Sequence, residues 1–185
     1  MSYDVPETIK SFYLSSDIVK ICEHFAERSY LTNIDCYALR KQTSPEKIKK
    51  DIMLGKLAEW GVYFIYLARG RKSIAPPDLQ VYEASSKSFD PDLRWGLFSL
   101  HVKSQTFESA ERYGDSWIFQ AKDPLFEQAN EYDIMIGCRV ALDEYDGGCL
   151  VDIRLERKFV DLIVAAPKMS KFNDNKKAVY LEDNK

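Results

Sequence analysis

Hydrophobic positions follow two different rhythms along the chain. Up to about residue 70 they recur at helical spacing, and beyond it they fall in short, alternating runs. Pro6 and Glu7 open a pattern through Ile9, Phe12 and Tyr13 that predicts a short first helix. Asp17 is placed to cap a second helix through Ile18, Val19, Ile21, Cys22 and Phe25. The clearest start is Ser44-Pro45-Glu46-Lys47, a hydroxyl cap followed by proline in the first turn, which opens a helix running to Gly70. Its apolar side passes through Ile48, Ile52, Gly55, Val62, Tyr63 and Tyr66, so this helix is expected to lie buried against a sheet.

After Gly70 the period shortens. Residues 72–78, with Pro76 and Pro77, read as a connection, 79–84 as a strand, 85–91 as a loop and 93–105 as a longer strand. In that longer strand Leu100 and Val102 face one side, and Ser99, His101, Lys103 and Gln105 the other. Residues 117–120 form another short strand candidate. Residues 132–142 and 149–155 flank the turn Tyr145-Asp146-Gly147-Gly148 as a hairpin, and 159–166 supplies one more apolar strand. The expected architecture is α/β (α+β), a single domain over residues 1–167 with a helical N-terminal part, followed by a polar tail or edge element over 168–185.

A chain of 185 residues with 45% apolar composition suits one core better than two. No apolar run approaches the roughly 20 residues of a spanning helix, and the opening residues carry acids rather than a signal sequence. The expectation is a cytoplasmic protein without membrane contact. Four cysteines, Cys22, Cys36, Cys138 and Cys149, are widely spaced and form no CxxC pair, which argues for reduced, mostly buried thiols over a disulfide or zinc scaffold. His24 and His101 are the only histidines, so any divalent metal has to be a hard one held mainly by carboxylate oxygen. The net charge of −3 argues against indiscriminate coating of nucleic acid. Its distribution is uneven: residues 40–72 carry nine Lys or Arg against three acids, and residues 123–156 carry nine acids against Arg139 and Arg154. Such polarity steers a polyanion to one side, although a solvated helix face gives the same count.

Within the long helix the informative residue is Glu59. Gly55, Ile52 and Tyr63 are its neighbours along the helix, so its carboxylate lies on or beside the buried face, where a metal, a lysine or a polar network has to meet it. Asp92 stands at the start of the following strand, and His101, Lys103 and Gln105 share one face further along. Glu59, Asp92 and His101 are candidate ligands of a hard metal, with Lys103 holding the attacking water or the developing phosphate charge and Gln105 in support. Pro77-Asp78 also reads as a proline-aspartate pair before a strand, with Glu83 following. Asp92 is favoured over Asp78 because it shares a compact hairpin with Lys103.

At these positions the sequence resembles the PD-(D/E)xK nuclease superfamily. The segment Gly55-Lys-Leu-Ala-Glu59 resembles its core-helix glutamate element, Pro91-Asp92 its aspartate element, and His101-Val-Lys103-Ser-Gln105 its lysine strand. The text "LHVKSQ" followed by "SWIFQ" is similar to phage, homing and restriction endonuclease branches, and the resemblance covers roughly residues 45–142. It implies a restriction-endonuclease-like core with a mixed central sheet and flanking helices. It further implies an endonuclease that hydrolyses DNA with Mg²⁺, or Mn²⁺ as a substitute, and that works as a homodimer. His101 stands where the pattern expects an acid. That departure supports an alternative, a catalytically inactive module of the same fold that binds nucleic acid or protein.

Overall fold

The computed structural model describes residues 9–39, 44–82, 90–168 and 175–185. In chain order the elements are β1 (Ser11–Leu14), α1 (Ser16–Leu39), α2 (Pro45–Ala68), β2 (Leu93–Trp95), β3 (Phe98–Thr106) and α3 (Phe107–Tyr113). These are followed by β4 (Ser116–Gln120), α4 (Leu125–Gln128), β5 (Asp133–Leu142), β6 (Cys149–Lys158) and β7 (Lys176–Tyr180). The fold is mixed α/β, with a curled central sheet and flanking helices. That sheet has the order β1-β6-β5-β3-β2 and is antiparallel except where β3 runs parallel to β5. A separate antiparallel ribbon pairs β4 with β7.

Helix α2 starts as its sequence dictates. Ser44 holds an extended backbone and its hydroxyl accepts the Lys47 N–H, while Pro45 fills the first turn, where no N–H is needed. The helix is buried on more than one side, since Leu54, Leu57, Ala58, Val62 and Ile65 all enter the main core with Val19, Cys22 and Ala26 of α1 and Leu100, Val102, Ile136 and Val151 of the sheet. Ile52 and Tyr63, expected at the centre of its apolar face, are only partly buried. The described cysteines Cys22, Cys138 and Cys149 are free and buried.

The opposite face of the sheet carries a second core. Met135 and Leu155 point there and meet Trp117 and Phe119 of β4, Phe159, and Val179 of β7. One strand serves both cores through a bulge: Gly137 pairs with Leu155 and Cys138 with Ile153, leaving Arg154 unpaired. Val151 and Ile153 therefore face α2, whereas Leu155 faces the β4–β7 ribbon. Glu156, one residue further, returns to the α2 side.

Several expectations are corrected. Residues 11–14, read as part of a first helix, form β1, because Phe12 and Leu14 alternate against β6 in the register Phe12 with Val151 and Leu14 with Cys149. The long strand over 93–105 is a hairpin, broken where Gly96 takes a φ of 57° that other residues resist. Residues 79–82 are not a strand, since the Asp78 carboxylate accepts the Gln80 N–H at 2.8 Å and the Tyr82 hydroxyl at 2.5 Å, which curls the chain locally. Residues 83 and 84 of that expected strand lie outside the described residues. Residues 159–166 open with a single 3₁₀ turn, Phe159–Asp161, that drops Phe159 into the second core. Only Ala165 bridges to Ala178. The segment read as a polar tail or edge element supplies β7, an edge strand paired with β4, with Ala178, Val179 and Tyr180 buried. No described helix is long and apolar enough to cross a membrane.

α2 comes close to the sheet at Gly61, where a Cβ would overlap the side chain of Val151. Gly61→Ala is therefore expected to lower unfolding free energy by about 2 kcal/mol, since the helix has to move off the strand. Urea denaturation checks this. The double variant Gly61→Ala with Val151→Ala should lose less than the two single changes added together, because the second change removes the collision.

Candidate acidic site beneath helix α2

Glu59 sits in the middle of α2 at 8% exposure, where the helix passes over the β2–β3 hairpin. One turn back, at a spacing that puts both side chains on one helix face, Lys56 donates to Glu59 Oε2 at 2.6 Å. The same ammonium donates to the Asp78 carbonyl at 2.9 Å and lies 4.7 Å from the centre of the Phe25 ring of α1. Asp92 is fixed from the sheet side, its Oδ2 accepting the Val102 N–H at 2.7 Å beyond the end of β2. Burial and the nearby charge of Asp92 push the Glu59 carboxyl up to about 8. Lys56 offsets part of this by charge and hydrogen bond, and Asp78 adds to the rise. The hydrogen bond from Tyr82, with that from the Gln80 N–H, holds Asp78 itself below the ordinary carboxylate range.

The five sequence-predicted residues are divided by the sheet. Glu59 and Asp92 share the α2 side, while His101, Lys103 and Gln105 point from β3 into or beside the second core. Phe119 has the Lys103 ammonium 4.8 Å from its ring centre, and Phe159 meets the His101 ring edge-on. His101, 6% exposed, bonds Asp133 Oδ1 through Nε2 at 2.9 Å, and Asp133 Oδ2 accepts the Asn130 N–H at 2.8 Å. The pair ties β3 to the start of β5. Gln105 accepts the Ser116 N–H and donates to the Gly114 carbonyl, both at 3.0 Å, and so fixes the turn from α3 into β4. The expected ligand set Glu59, Asp92 and His101 is thus not gathered at one point. Among the described residues no group of three or more His, Cys, Asp or Glu side chains is arranged to hold a metal ion.

Lys56 is the site residue the sequence reading passed over. Its signal was present in the i, i+3 spacing to Glu59. The Asp78 carbonyl had no such signal, because the connection that carries it returns to α2 only in three dimensions. Family models, curated proteins and solved structures offer no match to this chain.

Because the folded-state Glu59 carboxyl titrates near 8 and the unfolded one in the ordinary carboxylate range, the folded protein retains a proton there that the unfolded chain has already lost. Stability should therefore fall as pH rises from about 4.5 to 8 and level off above that, by an amount on the order of a few kcal/mol. Glu59→Gln should flatten this slope. Thermal melts of both proteins across that pH window check the sign.

Proposed function

We propose that the chain is a divalent-metal-dependent endonuclease acting on DNA, with a restriction-endonuclease-like core, and that its site is the Glu59–Asp92 pair with Lys56. The observation carrying this reading is that burial, and then the nearby charge of Asp92 from a separate element, push the Glu59 carboxyl up to about 8, although Lys56 donates to it at 2.6 Å and to the Asp78 carbonyl at 2.9 Å. A buried carboxylate that Lys56 compensates only in part favours a further cation. Mg²⁺, with Mn²⁺ as substitute, suits the donors present, since Mg²⁺ is commonly held by one or two carboxylates, with waters and substrate phosphates completing its shell. Glu59 and Asp92 are the residues that would hold it. A hard divalent ion supplies charge neutralisation at a phosphate oxygen and acidifies a water.

The chain's own groups supply the rest. The Val102 N–H orients Asp92. Lys56 places a positive charge where the phosphoryl group gains negative charge on attack, a stabilisation that grows in the transition state. Residues at the exposed start of α2, such as Lys47 and Lys50, approach the DNA backbone. Pairing of two such sites in a homodimer would cut both strands. A second reading, a catalytically inactive binding module, is favoured by the placement of Lys103 and His101 on the far face of the sheet.

Purified protein incubated with linear and supercoiled DNA in Mg²⁺, Mn²⁺ or EDTA separates these readings. Metal-dependent cleavage reduced at least about 100-fold in Glu59→Gln and Lys56→Gln, and retained in Lys103→Ala, is the expected result. Loss in Lys103→Ala with retention in Lys56→Gln would overturn the assignment of the lysine. Absence of cleavage by folded protein on every substrate favours the binding module.

A further inference from the structure

Beyond the end of its pairing with β1, strand β6 borders a cavity of about 510 Å³. Its cationic lining comprises Lys10, Arg69, Arg154, Arg157, Lys158 and Lys185, and among the described residues Glu156 is the single acidic side chain there. This segregation is not a reflection of composition, since the chain as a whole carries a net charge of −3.

Glu156 does not neutralise the lining. Its carboxylate accepts the Tyr66 hydroxyl at 2.7 Å, Arg69 Nη1 at 2.6 Å and Arg71 Nη1 at 2.9 Å. Burial alone would raise its pKa, yet these hydrogen bonds and the Arg69 charge hold it below the ordinary carboxylate range, so it stays ionised and committed to α2. Arg154 is likewise engaged, with Asp115 and Asp152, both at 3.3 Å. Lys10, Arg157 and Lys158, by contrast, form no side-chain ion pair or hydrogen bond among the described residues. Three cations therefore line one cavity without a counter-charge paired to them among the described residues.

Arg69 adds a fixed element. At 5% exposure its guanidinium is held by two bonds, from Nε to the Ile9 carbonyl at 2.8 Å and from Nη1 to Glu156. The guanidinium so immobilised stands at the cavity wall. A planar, pre-oriented guanidinium flanked by the cations of Lys10, Arg157 and Lys158 suits a tetrahedral oxyanion with several oxygens.

We propose that this cavity binds phosphate groups of a polyanion, the chemistry shared by a nucleic-acid backbone and a free polyphosphate. The site is independent of the Glu59 pair. Arg69, at the C-terminal cap of α2, lies ten positions on from Glu59, about 15 Å along the helix axis.

The experiment titrates the full chain, without metal and at about 50 mM salt, with inorganic tripolyphosphate and with a short single-stranded DNA oligonucleotide, by calorimetry. The triple variant Lys10→Ala, Arg157→Ala, Lys158→Ala should weaken tripolyphosphate at least about tenfold and reduce the salt dependence of binding. A charge-matched variant at exposed positions elsewhere, Lys20→Ala, Arg112→Ala, Lys122→Ala, should leave it unchanged. An oligonucleotide bound more tightly than tripolyphosphate, and equally sensitive to the triple change, identifies the backbone as the source; equal binding of the two identifies the phosphate group itself. No binding of either anion, or equal weakening by both triple variants, would overturn the proposal. Because the readout is binding without metal, a failed cleavage assay does not decide it, and its own failure leaves the Glu59 site untouched.

Discussion

The arrangement of this protein depends on one irregularity, the bulge at Arg154. A regular strand alternates its side chains between two faces, so β6 would have sent Val151, Ile153 and Leu155 to the same core. With one residue left unpaired, Val151 and Ile153 pack under α2 while Leu155 joins Trp117 and Phe119 on the far side. The same slip returns Glu156 to the α2 face, where Tyr66, Arg69 and Arg71 converge on it. The C-terminal end of α2 is thereby locked to the sheet: the Arg69 and Arg71 N–H groups bond the Ile65 and Tyr66 carbonyls, while their guanidinium groups hold the strand's carboxylate. Breaking such a buried pair from one side leaves a charge without a partner, which is why a single strand irregularity holds helix and sheet together.

Two cores on one sheet explain why the candidate residues part company. The sequence shows plainly that His101, Lys103 and Gln105 share a face of β3 and that Leu100 and Val102 share the other. What it does not show is which face α2 covers. Leu100 and Val102 have no polar atoms to satisfy and meet the apolar helix, while the polar set lies opposite, where Asp133, Gly114 and Ser116 provide its hydrogen-bond partners. A motif read along one strand therefore carries its parity correctly and its three-dimensional partners not at all.

Local chemistry was the legible part of the fold. Ser44 and Pro45 fix the start of α2, and the paired runs around Gly147 fix the β5–β6 hairpin, because cap and turn signals act within a few residues. The failures involve long-range context. Residues 11–14 have enough apolar character for either helix or strand, and the choice was made by β6, more than 130 residues away in sequence. Phe159 continues an apolar run, yet the second core takes it at a turn rather than in a strand. In the candidate site, Glu59 and Asp92 were readable as carboxylates needing a partner, and Lys56 was readable from its helical spacing. The Asp78 carbonyl became a partner only through the return of a proline-rich connection to the helix.

Charge links these features. Along α2 the mid-helix position brings Glu59 toward Asp92, and the helix's end brings two arginines toward Glu156. In the first place acids outnumber the cation available, and in the second the one acid is already committed. An acid-rich point and a cation-rich cavity thus lie on one rigid helix, about 15 Å apart by its rise per residue. Neither imbalance is imposed by the overall composition, and each costs folding free energy through like-charge repulsion or desolvation. A fold already committed to α2 by its two cores can tolerate that cost, and the interaction that secures the helix, Glu156 with its arginines, is also what leaves Lys10, Arg157 and Lys158 without a counter-charge.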